Sequence, residues 1–422
     1  MARRLNVTDG YAIINAMADE MLGKNATIQA IDESTFSSVG ESIMNAGTEN
    51  VINTLALVTS RDLVAIRPYR AKFRLINALD SGMFANRIRK ISYYAKESTP
   101  TGASNTQLFT NLAMGYDNGT NPAGTPPTNQ STESMWLQST PVTYQAYFGG
   151  AIEWQYPYTL YENALKLAFR SPEDWTNFLN GFLVSCANDI ESEKEAFSRL
   201  VVLNHIAGIY DLSASMPGSA VNMTAVYNAK YGTSYTTAQL LTTYFADFLG
   251  VFVSTVKTVS DMMENRSIMY HWSPTKTVGG VSYVLLRQTK KEDQRMLMVA
   301  SFWNDAEALV LPAIFNDQYL KLDNFEKVDY WQNINDPFAV SVTPAIPDTS
   351  DPTEQTSGNA VSLSYVLGLL YDKDAMMVDF HLEDVTSSPL EARKHYRTIW
   401  NTINKNPIND FTENAVLFYM AD

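Results

Sequence analysis

Four histidines, His205, His271, His381 and His395, are the side chains best suited to proton transfer or metal binding near neutral pH. No two stand at the i, i+2 or i, i+4 spacing that would set two imidazoles side by side, so core or surface placement is the expectation for each. The densest acidic stretch is Asp372, Lys373 and Asp374 with Asp379, His381, Glu383 and Asp384. It has the carboxylates for a divalent cation, but Met377 stands where a calcium loop needs glycine, and a solvated strand edge is the expected reading. Glu153, within Ala151-Ile-Glu-Trp-Gln-Tyr156, is the best candidate for one of the paired carboxylates, about 5 to 10 Å apart, of a glycoside hydrolase. The seven tryptophans point to packing more than to sugar binding. No G-x-S-x-G elbow, phosphate-binding P-loop or dinucleotide fingerprint occurs. Cys186 is the single cysteine, which leaves no intrachain disulfide or thiolate cluster and suits a reducing compartment. No catalytic residue, cofactor or metal ligand is assigned.

With chemistry unpromising, charge and pattern carry the argument. The chain has 422 residues, 45% hydrophobic and 18% charged, with a net charge of −14. It is long enough to bury its own core, and its acidity argues against a dedicated nucleic-acid binder, which neutralises phosphates with Lys and Arg. The charge is uneven: residues 61–96 carry nine Lys/Arg against two Asp, so this strip is +7 and the remainder −21. Opposite surfaces of that kind attract copies of one chain to each other. The candidate inter-subunit cations are Arg67, Arg70, Lys72, Arg74, Arg87, Arg89 and Lys90. The first residues lack the apolar run of a secretion signal, and Leu240 to Val259 is too interrupted by polar residues for a bilayer span.

The elements that would position these residues follow from hydrophobic period. Phe84 to Tyr94 and Val142 to Phe148 read as strands flanking a polar stretch, 97–134, too long for an ordinary loop. Together they predict an extended β-arm whose aromatics, with Trp136, Tyr144 and Tyr147 as candidate contacts, need a neighbour to cover them. Ser171-Pro172-Glu173-Asp174 is a strong helix start, and apolar residues recur at three and four from Trp175 to Val201. This predicts one long amphipathic helix from Pro172 to about Gly208. A second helix is expected over Thr236 to Met263. Strands are expected at 267–272, 281–286, 296–300 and 327–331, with strands or short helices at 361–371, 375–381, 392–400 and 414–420.

Several phrases carry a family resemblance: Asn50-Val-Ile-Asn-Thr-Leu-Ala-Leu-Val-Thr-Ser-Arg61-Asp62, Val366-Leu-Gly-Leu-Leu-Tyr371-Asp372-Lys373-Asp374, Tyr396-Arg397 and Phe411-Thr-Glu-Asn414-Ala415-Val416. With the order of elements, they resemble the major capsid proteins of tailed bacteriophages, the Johnson fold, most closely those of small podovirus-type phages. The resemblance implies an α+β fold: an N-terminal arm at 1–65, a basic strand and extended loop at 66–150, and a peripheral domain at 151–214 with a spine helix at 172–208. An axial domain at 215–360 and a returning peripheral β segment at 361–422 would complete it. It implies self-assembly into hexamers and pentamers of an icosahedral head, built in the host cytoplasm, enclosing double-stranded DNA without binding it specifically. Scaffolding, portal and decoration proteins would be further partners, with no membrane and no cofactor. An encapsulin-type nanocompartment shell is the alternative of the same fold, and a carbohydrate-active enzyme the alternative of another class.

Overall fold

The computed structural model describes residues 7–22, 29–45, 77–79, 88–95, 141–149, 152–278, 281–309, 325–348 and 354–422. The long helix is present. Counting helices along the chain, it is α4, Pro172–Asp211, 40 residues and about 60 Å long at 1.5 Å per residue. Ser171 is extended and its hydroxyl accepts the Asp174 amide at 3.1 Å, while Pro172, Glu173 and Asp174 suit the first turn sterically and electrostatically. The expected stop at Gly208 is overrun. That glycine answers a packing need: a Cβ there would lie 2.3 Å from a ring carbon of Phe411.

Two sheets flank the helix. The five-stranded sheet runs β5 (Ala220–Asn222), β17 (Ala415–Met420), β14 (Tyr365–Asp372), β8 (Gln294–Val299), β9 (Phe325–Val328). Its central strands are buried on both faces, so they read as continuous apolar runs. Leu297, Val299, Leu369, Tyr371 and Leu417 join the core with α4 residues such as Val201, Val202 and Ile206. Met296, Met298, Leu370, Val416 and Phe418 join Phe248, Phe252 and Val256 of helix α7 (Phe245–Met262) in a second core. Each fully buried large apolar side chain of this kind stabilises the fold by about 1.5 to 3 kcal/mol. The four-stranded sheet runs β1 (Asn77–Leu79), β15 (Met376–Ser387), β16 (Tyr396–Asn409), β4 (Ile152–Tyr161). A separate antiparallel ribbon pairs β2 (Ile88–Tyr93) with β3 (Thr143–Phe148). Three smaller pairs are β6 (Lys276–Val278) with β7 (Val281–Tyr283), β10 (Val340–Val342) with β13 (Val361–Leu363), and β11 (Ala345–Pro347) with β12 (Gln355–Ser357).

Several expectations are corrected. Within the stretch expected as an N-terminal arm, α1 (Val7–Leu22) and α2 (Glu33–Asn45) form helices, and Ile14, Met17, Phe36 and Val39 cluster with Phe169 and Trp175 near the start of α4. The expected helix 236–263 is two: α6 (Thr237–Thr242), opened by a capping box of Thr236 and Gln239, and α7. The break lets Tyr244 stack on Tyr235, with ring centroids 4.2 Å apart. Residues 267–272 form no strand, because their backbone groups bond to separate partners: Trp272 donates to Phe411 and the Tyr270 carbonyl accepts from Ala415. The strand expected at 392–400 begins at Tyr396 and continues to Asn409, and the one expected at 375–381 runs on to Ser387. The last stretch, 361–422, is shared: β15 and β16 lie in the four-stranded sheet, but β14 and β17 pair with β8 and β5. The acidic stretch is solvated only in part: Asp374 and Asp384 are exposed, but Asp372 and Asp379 are not. β15 lies between β1 and β16, Asp379 is fully buried and accepts from Asn406 at 3.2 Å, and Asp372 is buried and accepts from Thr289 at 2.7 Å.

Candidate functional site

The β2–β3 ribbon brings together the residues that the sequence marks for contact. Its register sets Ile88 opposite Phe148, Lys90 opposite Ala146 and Ser92 opposite Tyr144 on one face. Arg89 opposite Tyr147, Ile91 opposite Gln145 and Tyr93 opposite Thr143 occupy the other, since side chains alternate along a strand. The first face is closed by the chain itself: Tyr94, Tyr144, Ala146 and Phe148 are buried against Leu285 and Ile408. The second is open, with Ile91 45%, Tyr93 63% and Tyr147 36% exposed beside an exposed Arg89.

Under the closed face lies a cluster of four charges. The Lys90 ammonium donates to the carboxylates of Asp410 and Glu413. The Arg287 guanidinium donates to Ser92 Oγ at 2.7 Å and to the Thr412 carbonyl at 3.0 Å, and lies 3.3 Å from Glu413. Asp410 Oδ1 accepts from both the amide and the hydroxyl of Thr412, at 2.8 and 2.6 Å. Burial opposes the charge on Asp410, but Lys90 and the Thr412 donors outweigh it and hold the carboxyl below its ordinary value. For Glu413 burial prevails over Lys90 and Arg287, and the carboxyl sits above its ordinary value. Burial works against the Lys90 ammonium too, yet the two carboxylates raise it. Two buried imidazoles flank the same turn. His271 spans Asn414 Oδ1 and the Leu285 carbonyl, 3.1 Å from each, and His205 stacks on Phe411 with centroids 4.8 Å apart. Burial pushes both down to about 4.

Arg67, Arg70, Lys72, Arg74, Arg87 and Trp136 lie outside the described residues. Of the remaining candidates, Arg89 and Tyr147 are on the open face. Lys90 and Tyr144 are placed differently from expectation: Lys90 spends its charge within its own chain, and Tyr144 is buried in the closed face, because both share the parity of Ser92 and Phe148. Ile91 gave no signal of its own, although the two-residue period places it with Arg89 and the aromatic Tyr93. Arg287, Asp410 and Glu413 gave no signal, since the groups they pair with, Glu413 for Arg287 and Lys90 for the two carboxylates, are more than a hundred residues away in sequence.

The Glu153 region is differently occupied. Glu153 is exposed on β4, where its carboxylate accepts from Gln155 at 3.2 Å. The neighbouring aromatics surround Lys405: its ammonium is 4.5 Å from the Trp154 ring centroid and donates to the Tyr156 hydroxyl at 2.9 Å and to Glu193 at 3.1 Å. Lys405 is 0% exposed, and burial lowers its pKa despite Glu193. Among the described residues no group of three or more His, Cys, Asp or Glu could hold a metal ion, and no helix is long and apolar enough to cross a membrane.

The family described as Phi29-like phage major capsid protein matches residues 92–419, and the chain belongs to that family. It is a structural capsid protein of a tailed phage head, a virion component that associates with itself into capsomers. Among solved structures, a chain in the capsid of Staphylococcus phage Andhra is 11% identical, with 85% of this chain and 87% of that chain covered at a TM-score of 0.47. A chain in the structure of head fiber and inner core protein gp22 of native bacteriophage P68 is 13% identical, covering 82% and 83% at 0.47. The head structure of Helicobacter pylori bacteriophage KHP40 contributes a chain 9% identical, covering 83% and 91% at 0.39. Comparison with curated proteins found no match.

Proposed function

We propose that copies of this chain close into hexamers and pentamers of an icosahedral head around double-stranded DNA, each laying the open face of its β2–β3 ribbon against a neighbour. The observation that carries this is the open face itself. Ile91, Tyr93 and Tyr147 present adjacent apolar surface on a ribbon whose other face is already satisfied. Arg89 and the unassigned cations of the 61–96 strip would meet acidic surface on the next copy, which the net charge of −14 supplies in excess. The same acidity suits DNA held by enclosure. The four-stranded sheet and α4 would form the peripheral domain and the five-stranded sheet the axial domain, with β14 and β17 reassigned to the latter on the strength of their pairing. Assembly in the host cytoplasm, with scaffolding, portal and decoration proteins as partners, completes the proposal. Family membership favours this over a nanocompartment shell.

The test is expression of the full chain, alone and with the genes that neighbour it, followed by electron microscopy and sedimentation. Closed shells are expected for the wild type and their loss for Tyr93→Asp, which places a charge where a contact must desolvate it. A wild-type chain that stays monomeric at high concentration in every combination, or a Tyr93→Asp chain that assembles normally, overturns the proposal.

A further inference from the structure

The cluster under the closed face has a geometry that simple anchoring does not need. Its four charges come from three separate parts of the chain. Lys90 lies on the ribbon, Arg287 follows β7, and Asp410 and Glu413 lie in the turn joining β16 to β17. That turn is the passage from the four-stranded sheet to the five-stranded one. His271 ties the same turn to the 285 segment through Asn414 and the Leu285 carbonyl, and Asn414 continues to Thr289 at 3.2 Å. The turn is therefore a stiff base.

The ribbon meets this base at two points on one strand. Lys90 reaches Asp410 and Glu413, and Ser92 is held by Arg287. Points two residues apart are about 7 Å apart along a strand. One point of attachment would let the ribbon swing, whereas two define a direction. The apolar contact with Leu285 and Ile408 tolerates sliding, whereas the charge-assisted hydrogen bonds, with the Ala95 amide's bond to the Val284 carbonyl at 3.0 Å beside them, are directional. A neighbour can cover the open face in a repeatable relation only if that direction is held.

We infer that Lys90 and Arg287 are positioning residues for assembly: with Asp410 and Glu413 they set the ribbon's direction at the junction of the two sheets, and with it the angle at which one copy meets the next. This rests on the assembly reading above. The experiment compares full-length wild type, Lys90→Met, Lys90→Arg and Glu413→Gln by amide hydrogen exchange of the unassembled chain and by particle diameter after assembly. Lys90→Met is expected to speed exchange at residues 88–95 and 141–149 at least tenfold while leaving β8 and β14 unchanged, and to broaden the particle diameters. Lys90→Arg, which keeps the charge and the donors, is expected to restore both. Unchanged ribbon exchange in Lys90→Met, or uniform wild-type diameters, overturns the inference. Should Lys90→Met fail to fold, Glu413→Gln, which keeps shape and an acceptor, decides by the same two readings. Failure of the wild type itself to assemble would count against the assembly reading, and the exchange comparison would still judge the clamp.

Discussion

The two faces of the β2–β3 ribbon share one backbone and one register, yet their fates are opposite, and composition does not explain it. On β2 the closed face contributes Ile88, Lys90 and Ser92, and the open face Arg89, Ile91 and Tyr93. Scored by hydrophobicity alone, the open side is no less fit for burial. The closed face is buried because its polar members find partners in the chain: Lys90 meets two carboxylates and Ser92 meets Arg287. Burying such groups without partners would cost several kcal/mol. The open face combines the exposed apolar surface of Ile91 and Tyr93 with the exposed cation Arg89, which is how a surface suited to another copy reads.

This contrast can be broken from the closed side first. Phe148→Ala removes a buried ring packed near Leu285 and Ile408, and should cost the folded chain about 3 to 5 kcal/mol in chemical denaturation. A loss under 1 kcal/mol would mean that the closed face is not core.

Acid should weaken the base beneath it next. His205 and His271 titrate near 4 when folded and near 6.5 when unfolded, so the unfolded chain binds more protons between those values. Their contribution is complete above about 6.5, declines as pH falls through that window and levels off below about 4, with a loss of up to about 3 kcal/mol for each ring. Both rings feel Asp410, which favours their protonation, and His271 also feels Arg287, which opposes it. Denaturation at pH 7 and pH 5 measures the slope. His205→Phe, which retains stacking on Phe411, should make it shallower, and an unchanged slope would remove His205 from the explanation.

The smallest effect on stability sharpens the comparison most. Ile91→Asp on the open face should change the stability of the unassembled chain by no more than about 0.5 kcal/mol. A large loss would show that the chain covers that face itself. Tyr93→Asp should behave likewise in the monomer while abolishing shells.

Local chemistry made much of the fold legible. The α4 start rests on Ser171, Pro172 and two acidic residues within one turn, and two-residue alternation located the second ribbon strand to within a residue over 142–148. Other features were illegible because they depend on distant partners. Gly208 looks like a helix stop until Phe411 is seen against it, and the break before Phe245 goes with a stacking of Tyr244 on Tyr235 that only the fold brings about. Asp379 reads as solvated until β1 and β16 enclose its strand.

For the candidate site, the alternation of β2 and β3 made it certain that the residues would divide into two sets, Lys90 with Ser92 and Arg89 with Tyr93. Which set would face inward was decided only by folding, which delivers Asp410, Glu413 and Arg287 to one side from far along the chain. Periodicity is a property of neighbouring residues, whereas the pairing of buried charges depends on contacts across the whole tertiary structure.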